Sequence, residues 1–213
     1  ALTALRDGGT GLDITVPNWV WADGEAKGLE RLRDPRVRER LKREVAAGSL
    51  PGWSNLVEAS GGWDKVVLAN PFNPKYERFR GQDFAAIGKA LGKHPADVAW
   101  NILLEGLPNR AMALFFMMNE NDIELAMRHP WTSIGSDAAA AAKFGEVDAL
   151  GLPHPRAYGT FPRVIAEYAR ERGILTLPQA VRKMSGWPAA RMGLFDRRVI
   201  RRGLRADLDL FDY

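Results

Sequence analysis

Ser133-Ile134-Gly135-Ser136-Asp137, followed downstream by His154-Pro155-Arg156-Ala157-Tyr158-Gly159-Thr160-Phe161-Pro162-Arg163, is the stretch on which the reading of this chain turns. Its first half predicts a short strand, Trp131 to Ser136, with a carboxylate at its end. Its second half places an arginine on a loop that leads into a helix. In a parallel α/β barrel the reactive groups sit at the C-terminal ends of strands, and Asp137 stands at such an end. A carboxylate there can ligate Zn²⁺ through one oxygen or take a proton from a water molecule. It can equally cap a turn, because Ser-Asp is a common capping pair. Arg156 has the planar fork that clamps a carboxylate in two hydrogen bonds, or it is a plain surface arginine. Together the two suit a metal-dependent hydrolase whose substrate carries a carboxylate.

Outward from this stretch, the pattern alternates strands and helices. Asp34-Pro35 reads as a helix start, acid at the cap and proline in the first turn. Val37, Leu41 and Val45 then recur every four residues as one apolar stripe within a charged helical region, 25–48. Trp63 to Ala69 reads as a strand between Gly61-Gly62 and Asn70-Pro71. Residues 83–92 and 95–106 read as helices split at Gly92-Lys93-His94-Pro95. Met112 to Met118 is an apolar run of strand length, expected to be buried on both faces. Asn121–Arg128, Pro162–Glu171 and Leu177–Met184 are predicted helices, the last followed by a break at Gly186-Trp187-Pro188, with a helical turn over Ala189–Leu194. Residues 138–155 are expected to be a long loop, and Ala206–Phe211 a final strand of period two. The alternation implies an α/β fold with parallel strands. Only about four strands are visible, against the eight and roughly 250 residues of a closed barrel.

Bulk properties narrow the classes. The 213 residues are 46% hydrophobic with seven Trp, enough for a buried core. Thirty basic and 26 acidic residues leave a net charge of only +4, with a pI near 9.5, which does not call for nucleic acid. The basic residues Arg197, Arg198, Arg201, Arg202 and Arg205 are read as a solvated surface. Cysteine is absent, so disulfides and thiolate metal ligands are excluded. No apolar run approaches about 18 residues, so no membrane-spanning helix is expected, and with no signal-peptide pattern in view the expected location is cytoplasmic. His94, His129 and His154 all precede proline, form no HxH or HExxH pair, and are read as marking element boundaries. Phe115 to Met118 are read as core, with the strand end able to line an apolar pocket. Gly8-Gly9-Thr10-Gly11 matches no phosphate-loop pattern.

Asn121-Asp122-Ile123, His129 to Asp137, and His154 to Val164 together resemble the N-acyl-D-amino-acid deacylases of the amidohydrolase superfamily. The tail adds Arg182-Lys183-Met184, Pro188-Ala189, Arg191-Met192-Gly193-Leu194 and Gly203 to Leu208, and Leu32-Arg33-Asp34-Pro35 supports it near the start. The resemblance is strong over 121–212 and looser over 1–110. It implies an α/β fold: the C-terminal portion of a (β/α)₈ barrel. Residues 1–110 would be a lid-like insertion, 111–195 the last barrel strands and helices, and 196–213 the return to a small β-domain. It implies that Asp137 is metal ligand and general acid/base, that Arg156 binds the substrate α-carboxylate, and that Phe115 and Met118 lie near the acyl or side-chain pocket. The cofactor implied is Zn, the substrate a small N-acyl-D-amino acid. Ala138 stands where the family usually has Gly, and Arg198 where a Gly often sits. The family's HxH strand, its other metal histidines and its substrate-binding lysine are expected before Ala1. This chain is therefore expected to be an incomplete and inactive part, paired with a missing N-terminal half or with a second copy. The competing readings are an amidohydrolase of another amide, such as a cyclic one, and a non-catalytic structural domain.

Overall fold

The computed structural model describes residues 8–138 and 154–213. These fall into two compact units, which part between Met117 and Met118. The expected loop 138–155 lies, but for its ends, outside the described residues.

The first unit, residues 8–117, is a three-stranded sheet with helices packed on it. Strand β1 (Gly8–Gly11) runs into a single 3-10 turn, Leu12–Thr15, and a second follows at Asn18–Trp21. Helices α1 (Glu25–Arg33) and α2 (Pro35–Ala47) come next. Asp34 separates them: its backbone N–H donates to Arg31 O at 3.1 Å, and its carboxylate accepts from Arg36 N at 2.8 Å. That caps one orphan donor of the new helix, as its sequence position predicts. The stripe residues Leu41 and Val45 are buried and Val37 packs beside them. Helix α3 (Leu56–Ser60) is capped by Asn55, whose Oδ1 accepts from Val57 N and Glu58 N at 3.1 and 3.3 Å. Strand β2 is Val66–Asn70. Helix α4 (Phe84–Leu91) ends on Gly92, at φ +60, a left-handed turn that favours glycine. Helix α5 (Pro95–Glu105) opens on His94, whose Nδ1 accepts from Ala96 N at 3.2 Å. His94 is thus the boundary residue that its His-Pro dipeptide suggests.

Strand β3 (Met112–Phe115) is the middle of the sheet, ordered β1-β3-β2. Both neighbours are antiparallel to it, in register Gly8↔Phe115 and Val66↔Phe115. This corrects the expectation of parallel strands among the described residues. Both connections to β3 contain several helices, and a connection that long can return the chain in either direction. Alternation of strand and helix therefore does not decide strand polarity. The strand is also shorter than its apolar run. Ala113 and Phe115 are buried while Met112 and Leu114 are half-buried, and past Phe115 the side chains of Phe116 and Met118 are exposed. Phe115 belongs to the same core as Trp100, Phe84, Leu68 and Leu12.

The second unit, 118–138 with 154–213, is helical. Helix α6 (Glu120–Arg128) is capped by Asn119. Trp131–Ser136 is not a strand, contrary to expectation: it is irregular chain with a single bridge position at Ile134, and among its backbone bonds Thr132 N donates to His129 O at 3.3 Å and Ile134 N to Lys183 O at 3.0 Å. A strand needs a ladder of paired residues, and one bridge position does not make one. Helix α7 (Arg156–Arg163) contains Pro162 and widens into a π-helical stretch at Val164–Glu171. Proline has no N–H to give to the preceding turn, and a wider turn is one way for a helix to absorb that. Thr176 and Gln179 form a reciprocal capping box ahead of α8 (Leu177–Val181). The predicted break at Gly186-Trp187-Pro188 is not a break. A π turn at Arg182–Gly186 leads straight into α9 (Trp187–Arg191), whose first turn tolerates Pro188. Ile123, Met127, Ile134, Val164, Tyr168 and Leu175 pack as its core. Ala206–Phe211 forms no strand, and Leu208 and Leu210 are exposed. Alternation without a second edge leaves the backbone to water. No helix among the described residues is long and apolar enough to cross a membrane.

Candidate functional site

Asp137 and Arg156 meet in the second unit. Arg156 Nη1 donates to Asp137 Oδ2 at 2.9 Å, with the arginine side chain largely buried (15% exposed) and the carboxylate largely open (69%). Arg156 is the first residue of α7, and its backbone N–H donates to His154 Nδ1 at 3.0 Å. The imidazole thus satisfies one of the orphan donors of the helix start and sets where the guanidinium leaves the backbone. Asp137 has φ +52, in the left-handed region that costs most side chains energy and that short polar residues tolerate best. A backbone held in such a state is a common mark of a working site. The arrangement presents an open carboxylate beside a guanidinium that is anchored along its stem.

The other site residues expected from the sequence lie elsewhere. Phe115 is fully buried in the core of the first unit, and Met118, the first residue of the second, is partly exposed. Among the described residues, no three His, Cys, Asp or Glu side chains come together to hold a metal ion. The described residues therefore do not fit a complete Zn²⁺ site, which takes about three protein ligands.

A charged network in the same unit was not expected from the sequence. Glu120 accepts from Tyr168 Oη and from Arg172 Nη1, the latter at 2.7 Å, and Arg163 lies 3.7 Å from its other oxygen. Arg163 also pairs with Glu167 at 2.6 Å, and Arg172 pairs with Glu124. The two guanidinium groups sit 5.6 and 5.4 Å from the Tyr168 ring centre. Burial works to raise the Glu120 carboxyl, but hydrogen bonds from Tyr168 and Arg172, with the charges of Arg163 and Arg172, outweigh it and hold the group below its ordinary value. Burial, then the hydrogen bond to Glu120, pushes the Tyr168 phenol up. The i,i+4 pair Arg163–Glu167 was visible in sequence. The bonds to Glu120 span about 50 positions and carried no local signal.

Lys183 was likewise missed as a single residue. It is only 5% exposed and donates to the carbonyls of His129 and Thr132, the latter at 3.2 Å. It thus ties helix α8 and its π turn to the irregular segment that leads to Asp137. Burial, then the charge of Arg182, holds its ammonium below the usual lysine range.

No family model matches the chain. Among curated proteins, it is 35% identical over 153 residues to the D-aminoacylase of Alcaligenes xylosoxydans xylosoxydans, covering 70% of this chain and 29% of that protein. It is 34% identical to the N-acyl-D-aspartate deacylase of the same organism, covering 64% and 25%. Among solved structures, D-aminoacylase, described as defining a novel subset of amidohydrolases, matches with a TM-score of 0.52 at 33% identity, over 67% of this chain and 27% of that one. The N-acyl-D-glutamate deacylase of Bordetella bronchiseptica, solved with zinc and a phosphonate inhibitor, matches with a TM-score of 0.54 at 28% identity, over 70% and 28%. The class that these likenesses define is the amidohydrolases. Within it, the chain is similar to the N-acyl-D-amino-acid deacylases, and it spans less than a third of the length of the relatives it matches.

Proposed function

We propose that this chain is part of a zinc-dependent deacylase that hydrolyses N-acyl-D-amino acids to a D-amino acid and a carboxylate. The observation that carries the reading is the Arg156–Asp137 contact: a largely buried arginine poised at an open carboxylate. A substrate α-carboxylate exchanges for Asp137 as the partner of the guanidinium, since Arg binds carboxylates in two hydrogen bonds. That exchange frees Asp137 Oδ2, which takes a proton from the attacking water and gives it to the leaving amine. Zinc, the metal of the Bordetella bronchiseptica relative, would take Asp137 as one ligand and its others from residues outside those described. In this reading the chain is the C-terminal portion of a (β/α)₈ barrel, with 1–110 as a covering insertion and 196–213 leading to a small β-domain.

The test is a substrate panel on the polypeptide that contains this chain and any natural extension of it. N-acetyl-D-amino acids should be hydrolysed, and their L-isomers and C-terminal amides should not. Arg156→Ala should raise KM for the free acids at least about tenfold. Equal turnover of free acids and amides would remove the role given to Arg156. Turnover of cyclic amides alone would move the chain to another amidohydrolase substrate.

A further inference from the structure

We propose that a second, anion-selective site lies between α6, α8, α9 and the π turn that joins the last two, and that it takes a small organic carboxylate with an apolar or aromatic body. A cavity of about 340 Å³ opens there, lined by Arg128, Gln179, Arg182 and Lys183 on its polar side and by Leu175 and Trp187 among its apolar walls. That volume falls in the range of small-molecule sites. The charged side chains on the wall are all cationic donors. Lys183 and the two arginines have no acceptor atom on their side chains. Gln179 has committed its Oε1 to Thr176 N at 2.8 Å in the capping box, so its remaining end is the NH₂. Among the described residues, no acidic side chain lines the cavity. Lys183 reaches it from a nearly buried position, using two carbonyl bonds of the three an ammonium can make. Arg182 stacks over Trp187, 4.8 Å from the ring centre, so one charge and one aromatic face share a wall. Arg128 pairs loosely with one oxygen of Glu124 at 3.8 Å, while Arg172 engages the other.

A ligand that matches this wall must offer acceptors and a negative charge to one side and an apolar face to Trp187 and Leu175. A carboxylate on an apolar body does both. Inorganic phosphate satisfies only the first demand, and a neutral amide only the second. The inference does not rest on the proposed deacylase function, because its residues are separate from Asp137 and Arg156.

The experiment is calorimetric titration of the polypeptide that contains this chain, carrying Arg156→Ala so that the proposed substrate site does not contribute, with benzoate, benzamide and inorganic phosphate, repeated after adding Arg182→Gln, Arg128→Gln or the control Arg201→Gln. Benzoate should bind at least about tenfold more tightly than benzamide or phosphate, since one charge-assisted contact is worth about that factor. Arg182→Gln and Arg128→Gln should each weaken it several-fold while melting like the parent. Arg201→Gln, exposed and outside the cavity, should leave it unchanged. Benzamide binding as well as benzoate, phosphate binding as well as benzoate, no benzoate binding, or an equal loss in Arg201→Gln would each overturn the site.

Discussion

Removing one oxygen from Tyr168 tests the internal network of the second unit. Tyr168→Phe keeps the buried ring between Arg163 and Arg172 and deletes only the hydroxyl that donates to Glu120. A hydrogen bond to a charged acceptor contributes roughly 1.5–3 kcal/mol. Glu120 retains Arg172 at 2.7 Å, so the carboxylate is not left without a donor and the lower part of the range applies. The expected loss is about 1–2 kcal/mol at pH 7, read as a shift in the urea midpoint with an unchanged slope. The sign of its pH dependence follows from both partners. Glu120 has its folded pKa depressed, so its contribution is present above its ordinary value of 4.5 and lost as pH falls through the lower folded value. Tyr168 has its folded pKa raised, so its contribution is present below its ordinary value of 10.0 and lost as pH rises through the folded one. The gap between parent and variant should therefore be widest between about pH 5 and 9 and close on either side. A gap below about 0.5 kcal/mol at pH 7, or one that widens below pH 4, would refute the bond's role.

Three further outcomes follow from local structure and the proposed site. Asp34→Ala removes the α2 cap and should cost about 1 kcal/mol in chemical unfolding, whereas Asp34→Asn should cost far less. Asp137→Gly relieves the left-handed backbone and should raise thermal stability slightly, by up to about 1 kcal/mol, after the lost Arg156 pair is offset. In the active protein the same change, like Asp137→Asn, should abolish deacylation. Retained turnover in either would remove Asp137 from the mechanism.

Much of the helical framework was legible because its signals are local. Asp34-Pro35, the Val37–Leu41–Val45 stripe and the Gly92 to Pro95 punctuation act through backbone donors and side-chain faces within a turn or two, and each appears where its residues place it. The misplacements share a cause. Trp131–Ser136 and Ala206–Phe211 carry strand-like patterns, but a pattern cannot state whether a partner edge will be there. Gly186-Trp187-Pro188 reads as a stop by composition, yet a π turn carries the helix through it. For the site, the residues of interest could be singled out, Asp137 and Arg156, while the Glu120–Tyr168–Arg172 network could not.

By itself, then, the sequence determined where α2 begins, where α4 and α5 begin and end, which face of α2 is buried, and which carboxylate and arginine stand out. These depend on contacts over a few residues. The tertiary structure alone decided that β1 and β2 run antiparallel to β3. It also decided that Asp137 sits against Arg156, and that Lys183 holds the carbonyls of His129 and Thr132. Those outcomes depend on which distant groups the packed chain brings within 3 Å or so of each other, a quantity that no local pattern encodes.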